Sequence, residues 1–90
     1  MGIVALIIKV MPDSLDVNLK EIKQQCIEYL EKEGAKNILV EEQPVAFGLK
    51  ALIIKMAWPE EKSTDLPEEN LAKIPHVSSV SIEDYRRAFG

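Results

Sequence analysis

Residues 3–11 read IVALIIKVM, and Pro12 closes the run. Ile and Val fit a pleated surface covered by neighbours, so the stretch predicts a β-strand. Its nearly continuous apolarity predicts a strand in the middle of a sheet. Side chains alternate across a strand. Lys9 marks the less buried face, which turns Val4, Leu6, Ile8 and Val10 toward the side where helices pack. A second run of the same kind, LKALIIKMAW at 49–58, is closed by Pro59. Leu52, Ile54 and Met56 share one of its faces; Ile53 and Lys55 belong to the other.

Between these strands the hydrophobic period changes. Residues 12–18, PDSLDVN, read as a loop and helix entry. Asn18 and Glu21 have capping-box spacing, and Asp16 competes as the N-cap. Leu19, Ile22, Cys26, Tyr29 and Leu30 then trace a single helix face to about Glu33. Gly34 is the natural residue to close that helix in a left-handed conformation. AKNILVEEQ (35–43) alternates weakly, with Ile38 and Val40 on one side, and its polarity suits a sheet edge. PEEKST (59–64) reads as a charged loop. Asp65 and Glu68 repeat the capping-box spacing, with Pro67 tolerated in the first turn. Leu66, Leu71 and Ile74 support a short helix to about Lys73, stopped by Pro75. HVSSVSIEDY (76–85) reads as a last strand, with Val80 and Ile82 alternating against serines and acids, and Arg86-Arg87 as a basic tail beyond it. The order strand, helix, strand, strand, helix, strand is that of the α+β, ferredoxin-like fold. This is a four-stranded antiparallel sheet with two helices on one face. Its first and third strands are central, and the first and third strands are the most apolar here.

Ninety residues, 47% of them apolar, make one globular domain, 1–90. The net charge of −4, from 11 basic and 15 acidic residues, argues against non-specific nucleic-acid binding and leaves only a local basic site open. The single cysteine, Cys26, cannot form an intrachain disulfide and suits a reducing compartment. The longest apolar stretch, IVALII, is far too short to span a bilayer, and the amino terminus lacks the pattern of a signal peptide. A cytoplasmic protein that makes no membrane contact is expected.

No catalytic constellation is visible. His76 is the one histidine and sits beside Pro75, where a turn or surface role is expected. Cys26 lies on the apolar helix face with nothing basic beside it, and reads as a buried structural thiol. Metal-ligand spacings, a phosphate loop and a dinucleotide fingerprint are all missing. The pairs Glu41-Glu42, Glu60-Glu61 and Glu68-Glu69 read as solvated surface. RNA-binding domains of this fold stack bases on sheet aromatics, but these central strands carry none before Trp58. A small-molecule-binding regulatory domain and an acyl-phosphatase-type enzyme share the topology, although no residue pattern here supports either.

Two features carry more. In PVAFG (44–48), Pro44 shapes a turn and Gly48 permits a bend. Phe47 either packs on the core or is held out for a partner. In YRRAFG (85–90), the arginines are either a solubilising end or a binding charge.

The chain resembles archaeal translation elongation factor 1-beta and the carboxy-terminal exchange domain of the eukaryotic factor. The resemblance is carried by the opening IVALIIKVMP, by EEQPVAFGLKAL in the middle and by the ending HVSSVSIEDYRRAF. The run Pro44-x-x-Phe47-Gly48-apolar-Lys50 at the start of a strand is the most specific of these. The resemblance implies a guanine-nucleotide exchange factor for elongation factor 1-alpha, the GTPase that carries aminoacyl-tRNA to the ribosome. It would act by binding, without covalent chemistry or a cofactor, as a bare exchange module. By position, Phe47 would pack against the nucleotide-binding domain of the GTPase. Arg87, with Arg86 its neighbour, would approach the magnesium ion of the bound nucleotide. The eukaryotic relatives carry lysine where this chain has Arg87, and this chain runs three residues further. Together the two features make a grip on one partner, which requires the terminal guanidinium groups to share the rim that carries the proline–glycine bend.

Overall fold

β1 spans Ile3–Pro12 and β3 spans Lys50–Pro59, and they pair antiparallel from Ile3↔Pro59 to Val10↔Leu52. A computed structural model of the chain describes residues 2–87. β2, Lys36–Pro44, lies outside β3, and β4, Val77–Arg87, lies outside β1. The sheet order is therefore β2-β3-β1-β4, antiparallel throughout, with the two most apolar strands at its centre. α1, Leu19–Lys32, and α2, Asp65–Leu71, complete the ferredoxin-like arrangement.

Alternation explains the core. Val4, Leu6, Ile8 and Val10 of β1 and Leu52, Ile54, Met56 and Trp58 of β3 are buried against Ile22, Cys26 and Leu30 of α1 and Leu71 of α2. The other sheet face carries Lys9, Ile53 and Lys55 and stays partly open. Burial pushes the Cys26 thiol up to about 12, so it is neutral at physiological pH, as a structural thiol should be.

The ends of α1 follow local rules. Asn18 prevails over Asp16 as the N-cap, its side chain accepting from the Lys20 N–H at 3.0 Å. Gly34, at φ 98°, closes the helix. Ala35 N donates to Leu30 O at 3.0 Å and Gly34 N to Glu31 O at 3.1 Å, the paired bonds of a Schellman motif.

α2 departs from expectation. Asp65 is its first helical residue instead of its cap, and Ser63 Oγ accepts from the Asp65 N–H at 3.1 Å. The helix ends at Leu71, and tight bonds from Lys73 N to Asn70 O and from Ile74 N to Leu71 O turn the chain before Pro75. His76, at φ 71°, belongs to that turn rather than to the strand.

β4 also differs from the sequence reading. It runs on through Arg86 and Arg87, which pair with Ala5 and Val4. The arginines are strand residues, not a tail beyond the strand. A bulge interrupts the ladder: Ile8 faces Ile82 while Ile7 faces Asp84, leaving Glu83 as the extra residue.

Candidate functional site

The β2–β3 connection begins where Pro44, opposite Lys50, ends the ladder. Val45 N donates to Leu49 O at 2.8 Å and Leu49 N to Ala46 O at 3.3 Å, closing a tight turn over Ala46–Gly48. Within it Phe47 takes φ 61° and ψ 27°, and Gly48 follows at φ 77°. Gly48 adopts that backbone freely, whereas a side chain with a Cβ is strained there by about 1–2 kcal/mol. The ring gains nothing from the core in return, since Phe47 is 91% exposed. Of the two readings open to Phe47, packing on the core is thus ruled out.

Phe47 is not alone at this end. Leu15, in the loop between β1 and α1, is 65% exposed, and a Cβ on Gly48 would stand 3.5 Å from its Cδ2. Between the two loops lies a cleft of ≈ 230 Å³, lined by Pro12, Leu15, Val17, Gly48 and Lys50 among others. Lys50 reaches back to Glu42, Nζ to Oε1 3.7 Å, so its charge is partly answered within the hairpin. Leu15 was missed in the sequence; the available signal was a leucine set between Ser14 and Asp16 in the loop.

The arginines occupy the other end. Arg87 pairs with Val4, which pairs in turn with Trp58 near the end of β3. From Lys50, at the bend, to Trp58 the strand climbs roughly 25 Å at about 3.3 Å per residue. The molecule measures 41 × 21 × 19 Å, so the two features lie far apart along its long axis. The single rim expected for Phe47 and the guanidinium groups is therefore overturned. The reason is topological: β4 runs antiparallel to β1 and ends at the start of β1, while the β2–β3 turn sits beyond the other end.

Alternation puts the two arginines on opposite faces, and the bulge decides which faces which side. Paired residues of an antiparallel ladder share a face. Arg87, paired with the buried Val4, lies on the helix side, and Arg86, paired with Ala5, on the open side. Arg86 Nε meets Asp84 Oδ2 at 3.0 Å, and Arg87 Nη2 meets Glu60 Oε1 at 3.3 Å. Both guanidinium groups remain largely in solvent.

The loop that supplies Glu60 is pinned. Trp58 Nε1 donates to Lys62 O at 3.1 Å, and Lys62 Nζ donates to Glu33 O at 2.6 Å and to Glu33 Oε1 at 2.9 Å. The bond from Lys62 holds the Glu33 carboxyl below its ordinary value. Trp58 is buried with its indole N–H satisfied, so it offers no stacking platform for a base. Among the described residues no group of His, Cys, Asp and Glu is placed to hold a metal ion, and no helix is long and apolar enough to cross a membrane.

The sequence that builds this sheet and its two ends matches one family over nearly its whole length. The profile of the EF-1 guanine nucleotide exchange domain covers residues 5–88. The chain belongs to that family. It is 40% identical over 88 residues to elongation factor 1-beta of Methanothermobacter thermautotrophicus, covering 97% of this chain and 98% of the relative. The protein of the same name from Methanosarcina barkeri is 39% identical over 88 residues, covering 97% and 99%. That of Archaeoglobus fulgidus is 40% identical over 85 residues, covering 93% and 96%. An exchange domain of this family thus accounts for nearly the whole chain.

Proposed function

We propose that this protein accelerates the release of GDP from elongation factor 1-alpha, so that GTP can take its place during translation elongation. The observation that carries the reading is Phe47, kept in solvent at a cost in backbone strain. Strain at an exposed aromatic ring, with no packing gain, points to a group that a partner uses. Membership of the exchange family supplies the partner.

An exchange factor works only by binding the loosened or nucleotide-free GTPase better than the nucleotide-bound form. A thousandfold faster release requires about 4 kcal/mol, at roughly 1.4 kcal/mol per factor of ten. The geometry divides that demand between two places. Phe47, with Pro44 and Gly48 shaping its turn and Lys50 at its exit, anchors one end by burying its ring. Arg87 brings a cation to the other, beside the partner's nucleotide. There Mg²⁺ bridges the phosphates to the GTPase and neutralises their charge. A guanidinium beside that ion destabilises it by like-charge repulsion and leaves the diphosphate less firmly held. Arg86, on the open face and tied to Asp84, is the lesser contributor. The one-rim grip expected from the sequence is thereby replaced: the ring and the guanidinium act at separate places, and the partner has to extend along the long axis of the domain to meet both.

The test is the release rate of labelled GDP from elongation factor 1-alpha with and without the full chain. A large acceleration that excess factor saturates is expected. A rate equal to spontaneous release refutes the assignment.

A further inference from the structure

We propose that Glu60 is a positioning residue for Arg87, and that Gly2 is what leaves room for it. The inference rests on Arg87 being the charge that acts on the partner's nucleotide site. Glu60 continues the ladder between β1 and β3 past its last strand pair, Ile3↔Pro59, with its N–H donating to Gly2 O at 3.0 Å. Its side chain then folds back over Gly2. A Cβ on Gly2 would collide with Glu60 Oε2 and stand only 3.1 Å from Cδ. The other carboxylate oxygen, Oε1, is the one 3.3 Å from Arg87 Nη2.

The two partners differ in freedom. Glu60 is 32% exposed, and its backbone is fixed by the ladder bond to Gly2 and by the loop that Trp58 and Lys62 hold down. Arg87 is 72% exposed on a long, rotamer-rich stem. A fixed acceptor thus aims a mobile donor. So exposed a pair is too weak to act as a lock, but it reduces the ordering entropy left to lose when the partner docks. The absent side chain at Gly2 is part of this device, because a Cβ there would displace Oε2 and with it the carboxylate that faces Arg87.

The experiment measures labelled GDP release from elongation factor 1-alpha at saturating factor, with cooperative melts confirming that each variant is folded. Glu60→Gln is expected to lower the maximal rate about 3-fold, or about 0.7 kcal/mol at 1.4 kcal/mol per tenfold. Gly2→Ala, which changes no charge, is expected to give a similar loss. In an Arg87→Gln background neither change should slow release further, because both act through that side chain. Losses that persist in that background overturn the proposal, as does a Glu60→Gln rate equal to or above wild type while Arg87→Gln alone is slow. If Arg87→Gln alone matches wild type, the role of Arg87 fails and the proposal fails with it. A wild-type protein that does not accelerate release refutes the function itself.

Discussion

The two ends of this domain are built on opposite physical terms. At the bend end a turn holds an aromatic ring in water, in a backbone region that favours glycine. At the arginine end the two residues sit in paired strand, and the feature is charge: Arg86 and Arg87 each face a carboxylate. One end offers an exposed ring on a strained turn; the other offers cations on paired strand. The comparison teaches that a small scaffold can divide its work, using burial for hold and charge for disturbance. The ends can then be broken independently.

The largest effect is expected from Phe47→Ala. Loss of a central aromatic anchor costs about 2 kcal/mol or more, so affinity for the GTPase should fall about 30-fold in a binding titration. The thermal melt should stay unchanged, because the ring has no core contacts to lose. A melt that drops or loses cooperativity would make Phe47 structural after all.

Arg87→Ala should slow GDP release at saturating factor about tenfold, or about 1.4 kcal/mol, with affinity less affected. Stopped-flow kinetics at several factor concentrations separates the two. Arg86→Ala should do less, and an equal effect would erase the distinction drawn between the two faces. Ionic strength sharpens the contrast further. Exposed charges are screened beyond about 8 Å at physiological salt, whereas burial of a ring is not. Added salt should shrink the difference between wild type and Arg87→Ala while leaving that between wild type and Phe47→Ala in place.

Phe47→Gly isolates the strain. Glycine removes a penalty of about 1–2 kcal/mol at this φ but adds freedom to the unfolded chain. A net gain of about 1 kcal/mol in denaturant unfolding is expected, together with weakened binding. A destabilised variant would mean that the left-handed turn owes its shape to the phenylalanine.

The smallest effect concerns the loop behind Arg87. The Glu33 carboxyl is held low in the folded protein by the bond from Lys62, so its contribution to stability is present above the ordinary carboxylate range. That contribution fades as pH falls through the lowered folded value. Lys62→Met should therefore destabilise at neutral pH, with the gap to wild type narrowing in acid. Chemical denaturation at a series of pH values measures it, and a gap that widens in acid contradicts the assignment.

Much of the scaffold was legible because its causes are local. The alternation of IVALIIKVM sorts its own side chains into a buried and an open set before any partner strand is known. Gly34 closes α1 because few other residues adopt its backbone. α2 was less legible: a side chain three residues before Glu68 resembles a cap, but Ser63 fills that need from outside the helix. For the site, the PVAFG turn and the arginines were visible as candidates. Glu60 was not, since an acidic pair in a loop looks the same whether or not one member faces an arginine across the sheet.

The sequence by itself determined the element types, their order and which face of each central strand is covered, since these follow from apolar periodicity within one segment. Only the tertiary structure decided that Phe47 stands in solvent, that the aromatic and the guanidinium groups lie at opposite ends, and which arginine faces which side. The last is the clearest case. Strict alternation from Val80 and Ile82 would put Arg86 on the helix side, but the extra residue at Glu83 reverses the parity and puts Arg87 there instead. A bulge is set by how β4 meets β1, some seventy residues away along the chain, and no periodicity within one strand carries that information.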